Sequence, residues 1–473
     1  MTTLLWFEED LRIHHHPALL AAIERQQPIV ALYILPPSVG GAQKWWLHHS
    51  LSSLSKSLQQ MGISLILRRG QALDVLRQVV DETKASALFW SRRYTPSQIA
   101  RDREIKTYFQ EQGLTAKSFP GYLLFEPWLV KTQAGTPYKV FSQFWKNCLQ
   151  LPEPQLTEAP PHHTHGGPIL PSETLDDWDL LPSKPNWATR FGEFGTPGEQ
   201  GAMARAQAFF EHRLADYAEA RDRPDVDGTS RLSAHLHFGE ISPHLLWHAA
   251  KAKIKETKGP AAKSLERFLA ELGWREFSYH LLYHFPTLVD QPFRPEFAEF
   301  PWHDNPSALT AWQQGQTGFP IIDAAMRQLW HTGWMHNRVR MIVASFLTKN
   351  LLVPWQQGAA WFWDTLVDAD LANNSASWQW VAGCGADAAP YFRIFNPVLQ
   401  AERFDPEGTY VRQWVPELRD LPRDFIHQPW EAPALVLRAA GIRLGETYPE
   451  RLIDHATSRD RALEAYEAIK KNG

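Results

Sequence analysis

The sequence predicts two domains of different class: an α/β domain with a doubly wound, parallel sheet, followed by a large all-α domain. Three observations predict this division. Short apolar runs alternate with helical patterns over residues 1–130, which is typical of a parallel sheet. Residues 131–200 predict a long connector that wraps the surface, because nine of the 35 prolines lie within residues 151–200. Residues 201–473 show apolar positions every three to four residues and no convincing strand.

The elements of the first domain follow one another in a regular order. Short apolar and often β-branched runs predict four strands, and apolar residues at helical spacing predict the helices that connect them. The predicted strands are residues 3–7, 28–35, 63–67 and 87–90, and the predicted helices are residues 18–24, 47–61, 73–83 and 101–112.

The composition limits the class of protein. A chain of 473 residues with 44 % hydrophobic and 21 % charged residues predicts a globular core and excludes a mainly disordered protein. The net charge of −4 excludes a basic field over the whole molecule, so a nucleic-acid site would be a local patch. Cys148 and Cys384 cannot form a disulfide framework, and we expect a reduced, cytoplasmic compartment. The 21 tryptophans predict a heavy core or stacking surfaces for sugars or bases.

Leader, membrane and metal signals are weak. The N-terminus has no basic region followed by an apolar stretch, and no run reaches about 18 apolar residues, so we expect neither a signal peptide nor a membrane span. Histidines occur at residues 14–16 and at positions 162, 163 and 165. Such groups can bind a metal, but a solvated stretch is favoured for both, and no metal site is predicted.

Four clusters in the second half could carry chemistry. Residues 228–233 (GTSRLS) could bind a phosphate through backbone N–H groups, although an ordinary helix cap explains them about as well. Glu271, Trp274 and Arg275 share one helical face and suit a flat heteroaromatic ligand; an ion pair beside a core tryptophan is equally open. The other clusters are residues 333–341, where Asn337, Arg338 and Met341 share a face, and residues 368–380, with two acids, an amide and two tryptophans.

Taken together, these clusters resemble the DNA photolyase/cryptochrome family over nearly the whole chain. The strongest likeness, to the flavin-binding core of photolyases that repair cyclobutane pyrimidine dimers, lies in residues 317–327, 333–341, 378–380, 391–397 and 404–417. Residues 235–242 and 382–390 resemble bacterial class III photolyases. Residues 4–12 also match, except that Glu8 and Glu9 replace basic or polar residues, a departure that we expect to concern the N-terminal surface.

The resemblance implies FAD bound in a U shape in the helical domain. Arg340 and Asp368 would pair beside the flavin ring, Asp370 would reach the ribose region, and Asn374 would face flavin N5, where repair enzymes usually carry Asn. The full set of implied FAD-binding residues is Tyr217, Thr229, Ser230, Arg231, Leu232, Ser233, Arg275, Trp334, Arg340, Asp368, Asp370 and Asn374. Trp378, Trp355 and Trp302 match the family's chain of tryptophans for photoreduction, although each alone would more often be a core residue.

The resemblance also implies the substrate and the reaction. Light would excite the reduced flavin, an electron would pass to a flipped-out dimer in UV-damaged DNA, the dimer would split, and the electron would return. Trp274 and Trp380 would form a wedge against the dimer, and Glu271 would bind the pyrimidine edge. Asn337 and Met341 would line the pocket, and Arg221 and Arg338 would contact phosphates. Asn337, next to His336, stands where enzymes for (6-4) photoproducts carry a second histidine, which favours cyclobutane dimers.

A second, light-harvesting chromophore is expected on the α/β domain. Residues 94–98 lack the Asn-Glu pair that contacts folate in one branch of the family. The class III likeness still favours methenyltetrahydrofolate, in the region of residues 139–145, with a deazaflavin as the other option. We expect a monomer that binds no membrane.

Two other functions compete with repair. A cryptochrome-type photoreceptor would signal without repairing DNA, but Asn374 and the few residues after the predicted helix 460–470 argue against it. A tryptophan-rich glycosidase would need a facing pair of carboxylates, and Asp368 and Asp370, two residues apart, would not face each other in a helix.

Overall fold

The computed structural model describes residues 1–256, 258–388 and 392–472, so residues 389–391, which belong to two of the family-like motifs, lie outside it. The first domain contains a parallel sheet of five strands: β1 (Thr2–Phe7), β2 (Ile29–Leu35), β3 (Leu65–Arg69), β4 (Ala85–Ser91) and β5 (Thr115–Phe119). Their order is β3-β2-β1-β4-β5. The helices between them are α1 (Pro17–Glu24), α2 (Gly41–Gln60), α3 (Ala72–Thr83) and α4 (Pro96–Glu111).

The predicted α/β class is confirmed, but the prediction of four strands was one short. Strand β5 (TAKSF) lies at the sheet edge, where Thr115 and Lys117 are exposed and Ala116 and Ser118 are buried. An edge strand tolerates polar residues on its open face, so it lacks the continuous apolar run that marks the central strands. Strand β1, by contrast, is buried at every position because helices cover both faces of the sheet.

The predicted connector does run along the α/β domain. Ile29 of β2 forms a bridge with Gly166, and the Thr164 amide donates to the carbonyl of Met61. The connector also contains one α-helix, α5 (Phe141–Cys148), which packs against the helical domain. His162, His163 and His165 are exposed, as expected for a solvated stretch.

The second domain is helical throughout its described residues, as predicted. Two apolar clusters form its core, one around Trp312 and Tyr410 and one around Phe209 and Leu265. A π-helical segment, Phe346–Asn350, follows α13. The helices are α6 (Glu199–His212), α7 (Tyr217–Ala220), α8 (Ser233–His237), α9 (Pro243–Glu256), α10 (Pro260–His284), α11 (Pro306–Gln313), α12 (Pro320–Thr332), α13 (Asn337–Ser345), α14 (Trp355–Thr365), α15 (Leu371–Ala382), α16 (Pro397–Phe404), α17 (Thr409–Trp414), α18 (Ala434–Ala439) and α19 (His455–Asn472).

One expectation about the N-terminal region was wrong. His16 is not solvated: it is fully buried, its Nε2 lies 2.8 Å from Asp10 Oδ2, and its Nδ1 accepts from the Leu19 amide at the start of α1. Glu8 and Glu9, expected to concern the N-terminal surface, are partly exposed and paired: Glu8 lies 2.6 Å from Arg101, and Glu9 pairs with Arg93. Burial raises the pKa of Glu8, so these arginines serve to compensate acids placed at the end of β1.

Helix α2 fixes the α/β domain to the helical domain. The Trp46 indole donates to Glu240 Oε1 at 3.1 Å, and the Gln43 amide donates to the Ala369 carbonyl at 2.5 Å. The same Gln43 nitrogen lies 3.0 Å from Nε2 of His237. Because Ala369 belongs to the 368–380 cluster and His237 Nδ1 lies 3.6 Å from Asp370 Oδ2, helix α2 of the α/β domain packs directly against that cluster.

Candidate functional site

Residues 229–233 form a mainly polar segment whose backbone is held by Arg205 of α6. The Arg205 guanidinium donates to the carbonyls of Ser230 at 2.9 Å and Thr229 at 3.3 Å, and Ser233 begins α8. Arg231 adopts a left-handed backbone conformation with φ of 51°, and its guanidinium lies 5.2 Å from the centre of the Trp334 ring. The segment therefore presents hydroxyl and guanidinium groups beside an aromatic surface. Leu232 is buried in the core, so it could contact a ligand mainly through its backbone.

Arg340 and Asp368 form an ion pair in which the carboxylate is buried and the guanidinium is partly exposed. Arg340 Nη2 donates to both carboxylate oxygens of Asp368, at 3.1 and 2.8 Å, and Arg340 Nε donates to the carbonyl of Met335 at 2.7 Å. The sequence-predicted pairing of Arg340 with Asp368 is thus present in the structure. Two partners fix the guanidinium plane, which suits it to face a flat ligand.

Asp370 has a structural role at the beginning of α15. It caps α15, where Oδ1 accepts from the Asn373 amide at 2.9 Å, and Oδ2 accepts from the hydroxyl of Tyr279. Burial alone would raise its pKa, but His237 and Tyr279 beside it hold the pKa of Asp370 well below its usual range. Because both oxygens already accept hydrogen bonds, its predicted contact with a ribose stays a prediction.

The amide of Asn374 has a defined orientation. Its Nδ2 donates to the carbonyl of Ala359 in α14 at 3.0 Å. This bond assigns nitrogen and oxygen, and it leaves Oδ1 as the group that can accept from a ligand N–H. Asn374 follows Asp370 by one helical turn, so both residues line the same end of α15.

Arg275 and Glu276 connect the site to the loop after β5. The Arg275 guanidinium lies 4.4 Å from the centre of the Tyr122 ring, and its Nη1 donates to Glu276 at 3.1 Å. The Glu276 carboxylate also accepts from the amides of Leu124 and Phe125, at 2.8 and 3.1 Å. Burial raises the pKa of Glu276 to about 7, despite the neighbouring guanidinium.

Glu271 lies at the rim in a network of charges. Arg221 Nη2 is 3.0 Å from its Oε2, and Arg267 Nε is 3.3 Å from its Oε1. Burial raises the pKa of Glu271, while Arg221 and Arg267 oppose that shift. Arg221 is only 8 % exposed and lies against Tyr217, so the structure places it behind Glu271, not on the surface. Its predicted role at a DNA phosphate stays a prediction, and its geometry favours the orientation of Glu271.

Helix α13 carries the third cluster. Asn337 is exposed at its first turn, and Met341 follows one turn later. Arg338 pairs with Asp222 at 2.9 Å and lies over the ring of Phe404, so its predicted contact with a phosphate would require an exchange of partners. The three predicted side chains are therefore together, at the outer end of the site.

The two tryptophans of the predicted wedge are linked by residues that the sequence reasoning missed. The Trp274 ring stacks on Phe141 of α5 with centroids 3.7 Å apart, and the Trp380 indole donates to the carbonyl of Asp387 at 2.9 Å. The Asp387 carboxylate in turn accepts from the Phe141 amide at 3.1 Å. Asp387 lies within the family-like residues 382–390, and this motif was the sequence feature that could have indicated it. No sequence feature indicated that Phe141 contacts Trp274, because the two residues are 133 positions apart.

Two of the three tryptophans of the predicted relay are buried, and the third is partly exposed. Trp378 is 2 % exposed and contacts Phe362 and Trp312 edge-on; Trp355 is equally buried at the start of α14. Trp302 is half-buried and packs on Phe300, with ring centroids 4.4 Å apart. Two buried indoles followed by a partly exposed one suit a relay that ends at solvent.

Packing at Trp378 depends on Gly358 of α14, and this can be tested. A Cβ at position 358 would lie 2.1 Å from Trp378 Cη2 and 2.7 Å from Leu347 Cδ2. We expect Gly358→Ala to lower the free energy of unfolding by about 1–3 kcal/mol through overpacking, although alanine favours a helix. Gly192→Ala is the control, because a Cβ there meets no atom within 4 Å. Thermal unfolding of both variants measures the difference; equal stability would show that Trp378 moves aside without cost.

The donor set fits a bound dinucleotide with an aromatic ring system. Hydroxyls and guanidinium groups suit two phosphates, while Trp334, Asn374 and the Arg340–Asp368 pair suit a flat heterocycle. Among the buried polar atoms that make no hydrogen bond within the described residues, six lie in this region: Arg231 Nε, Arg275 Nη2, Trp378 Nε1, His336 Nε2, Arg221 Nε and Arg338 Nε. Buried polar groups usually have partners, so this concentration points to a polar ligand.

Other classes of site find no support in the described part of the chain. It contains no group of three or more His, Cys, Asp or Glu side chains placed to hold a metal ion. In the same residues, no helix combines the length and apolar character needed to cross a membrane.

Comparisons with known proteins bear on the whole chain. The FAD binding domain of DNA photolyase matches residues 268–468, and the DNA photolyase family matches residues 3–162. The deoxyribodipyrimidine photo-lyase of Agrobacterium fabrum is 49 % identical over 472 residues, which cover 99 % of this chain and 98 % of the relative. Cryptochrome-1 of Arabidopsis thaliana is 37 % identical over 480 residues, covering 98 % of this chain and 70 % of the relative.

A solved structure agrees with these matches. The crystal structure of a bacterial class III photolyase from Agrobacterium tumefaciens superimposes with a TM-score of 0.96 at 49 % identity, covering 99 % of this chain and 98 % of the other. The comparisons thus confirm the predicted fold class and the predicted FAD-binding domain.

Proposed function

The chain belongs to the DNA photolyase/cryptochrome family and works as a deoxyribodipyrimidine photo-lyase, and we propose that the residues of the site described above carry out this repair. The observation that supports the assignment of residues is the connected set of side chains on α10, α13 and α15. It joins a pocket suited to FAD with a rim that carries Glu271, Trp274 and Trp380.

The inner part of the site holds FAD. Thr229, Ser230, Ser233 and the guanidinium of Arg231 bind the diphosphate, and Trp334 packs against the cofactor. The Arg340–Asp368 pair would lie beside the ring, and Asn374, whose Nδ2 donates to the Ala359 carbonyl, would offer Oδ1 to flavin N5–H without adding a negative charge. FAD, when bound in its reduced form, supplies on light excitation the electron that splits both cyclobutane bonds and that returns afterwards, so no net oxidation occurs.

The outer part of the site holds the dimer. Extrusion of a dimer is cheaper than extrusion of normal bases, because a dimer is already poorly stacked. Trp274 and Trp380 stack on the flipped bases, which contributes about 1–3 kcal/mol per base. Glu271 binds the pyrimidine edge, oriented by Arg221, while Asn337 and Met341 line the pocket. Arg338 leaves Asp222 to contact a phosphate.

A second chromophore and the protein's setting complete the proposal. An antenna, with methenyltetrahydrofolate favoured over a deazaflavin, binds a second site. The expected region, residues 139–145, does not lie on the α/β domain, because it packs against the helical domain, where Phe141 stacks on Trp274. The protein acts as a cytoplasmic monomer on UV-damaged DNA.

Light-dependent repair is the direct test. Purified, reduced protein is incubated with an oligonucleotide that carries one thymine cyclobutane dimer, with and without blue light, after its absorption spectrum has been recorded. We expect intact thymines only under light, and the spectrum to show whether an antenna is bound. Binding of the same DNA should weaken as salt rises, because phosphate contacts release counterions.

The photoreceptor remains the alternative, and the same experiment separates the two. A yellow protein that photoreduces its flavin but repairs no dimer would support a cryptochrome-type photoreceptor, as the similarity to Cryptochrome-1 allows. A colourless protein would contradict both functions.

A further inference from the structure

Asp387 makes two hydrogen bonds, one with each side of the proposed dimer pocket. Its backbone carbonyl accepts from the Trp380 indole at 2.9 Å, and its carboxylate Oδ2 accepts from the Phe141 amide at 3.1 Å. Phe141 stacks on Trp274 with centroids 3.7 Å apart and planes within 10°. One residue thus connects both tryptophans of the wedge.

The backbone of Asp387 is set for this double contact. Its φ of 53° is left-handed, a conformation that aspartate tolerates better than most residues. Phe141 is the first residue of α5, and Val140 before it supplies no side-chain cap. A carboxylate at that place satisfies an otherwise unpaired helix N–H and interacts favourably with the positive end of the helix. The contact therefore fixes α5, and with it the Phe141 ring.

We propose that Asp387 is a positioning residue, which holds Trp274 and Trp380 at the separation that a flipped pyrimidine dimer needs; the proposal rests on the proposed function and deepens it. Phe141 covers one face of Trp274, so only the opposite face is left for a base. Stacking requires a defined ring plane, and a small displacement of either indole removes much of the contact. Asp387 itself does not touch the reacting bonds.

Binding of dimer-containing DNA tests this role. Asp387→Gly removes the carboxylate but keeps the carbonyl and the left-handed backbone, so Trp380 retains its partner. We expect about tenfold weaker binding of an oligonucleotide with one thymine dimer, which lies within the stacking contribution of one base. Binding of the undamaged oligonucleotide should change less than about twofold. Asp387→Asn keeps an acceptor for the Phe141 amide and should restore most of the affinity.

Two further variants make the result decisive. Asp179→Gly is the matched control, because Asp179 also has a left-handed φ, of 48°, but lies exposed in the connector. Phe141→Leu removes the stacking ring directly, and its effect should not add to that of Asp387→Gly if both act through Trp274. Wild-type affinity in Asp387→Gly, or an equal loss on undamaged DNA with loss of bound flavin, would overturn the proposal. Failure of the wild-type protein to repair under light would instead refute the proposed function.

Discussion

Replacing Glu271 by alanine lowers light-driven repair of a thymine dimer by about 10- to 100-fold, because a hydrogen bond to a charged group contributes about 1.5–3 kcal/mol. Glu271 Oε2 lies 3.0 Å from Arg221 Nη2, and Glu271 Oε1 lies 3.3 Å from Arg267 Nε. Two guanidinium groups thus orient the carboxyl, and Arg267, the more exposed of the two, is the partner that a bound dimer would replace. Burial raises the pKa of Glu271, so the proton needed to stabilise negative charge on the dimer is more easily held there.

The control for this variant is Glu271→Gln. Glutamine keeps the volume and one donor and one acceptor, so it should retain more repair than alanine. Both variants remove the negative charge that faces Arg221, but only glutamine keeps an oxygen that can accept from it, so thermal unfolding of both variants separates a loss of stability from a loss of repair. The measurement is the quantum yield of repair with chemically reduced, flavin-loaded protein at saturating dimer DNA. Unchanged repair in Glu271→Ala would remove Glu271 from the mechanism.

The local part of the site could be predicted from the sequence. The helical spacing of Glu271, Trp274 and Arg275 placed them on one face, and α10 does carry all three. The pairing of Arg340 with Asp368 followed from the family resemblance and is present. Such features depend on helix geometry or on a motif, and both are read from residues close together in the chain.

Contacts between distant segments could not be predicted in the same way. The stacking of Phe141 on Trp274 joins the connector to α10, and no periodic pattern in either segment indicates it. The same holds for Arg221, which was expected at a phosphate and lies buried against Glu271. A buried cation needs a partner, but the sequence alone does not say which acid will be near. Tertiary packing decides these positions.

A substitution at Trp378 is expected to have the second large effect, on photoreduction of the flavin. Trp378 is enclosed by Phe362, Trp312 and Gly358, and it follows Asn374 by one helical turn. Neighbouring residues on α15 therefore have separable roles. The proposed contact of Asn374 would be made to the flavin in either redox state, whereas an electron donor is needed only when the flavin starts oxidised.

Trp378→Phe is expected to block photoreduction of oxidised flavin while it leaves dimer repair intact once the flavin is reduced chemically. Phenylalanine fills most of the space but is much harder to oxidise than indole, so the path through Trp355 to Trp302 loses its first member. Trp312→Phe is the matched control, since Trp312 is equally buried and contacts Trp378 but stands outside the proposed relay. Flavin absorption under blue light measures photoreduction, and the dimer oligonucleotide measures repair. Loss of both activities in Trp378→Phe would make Trp378 structural, and loss of photoreduction in Trp312→Phe would redirect the electron path through Trp312.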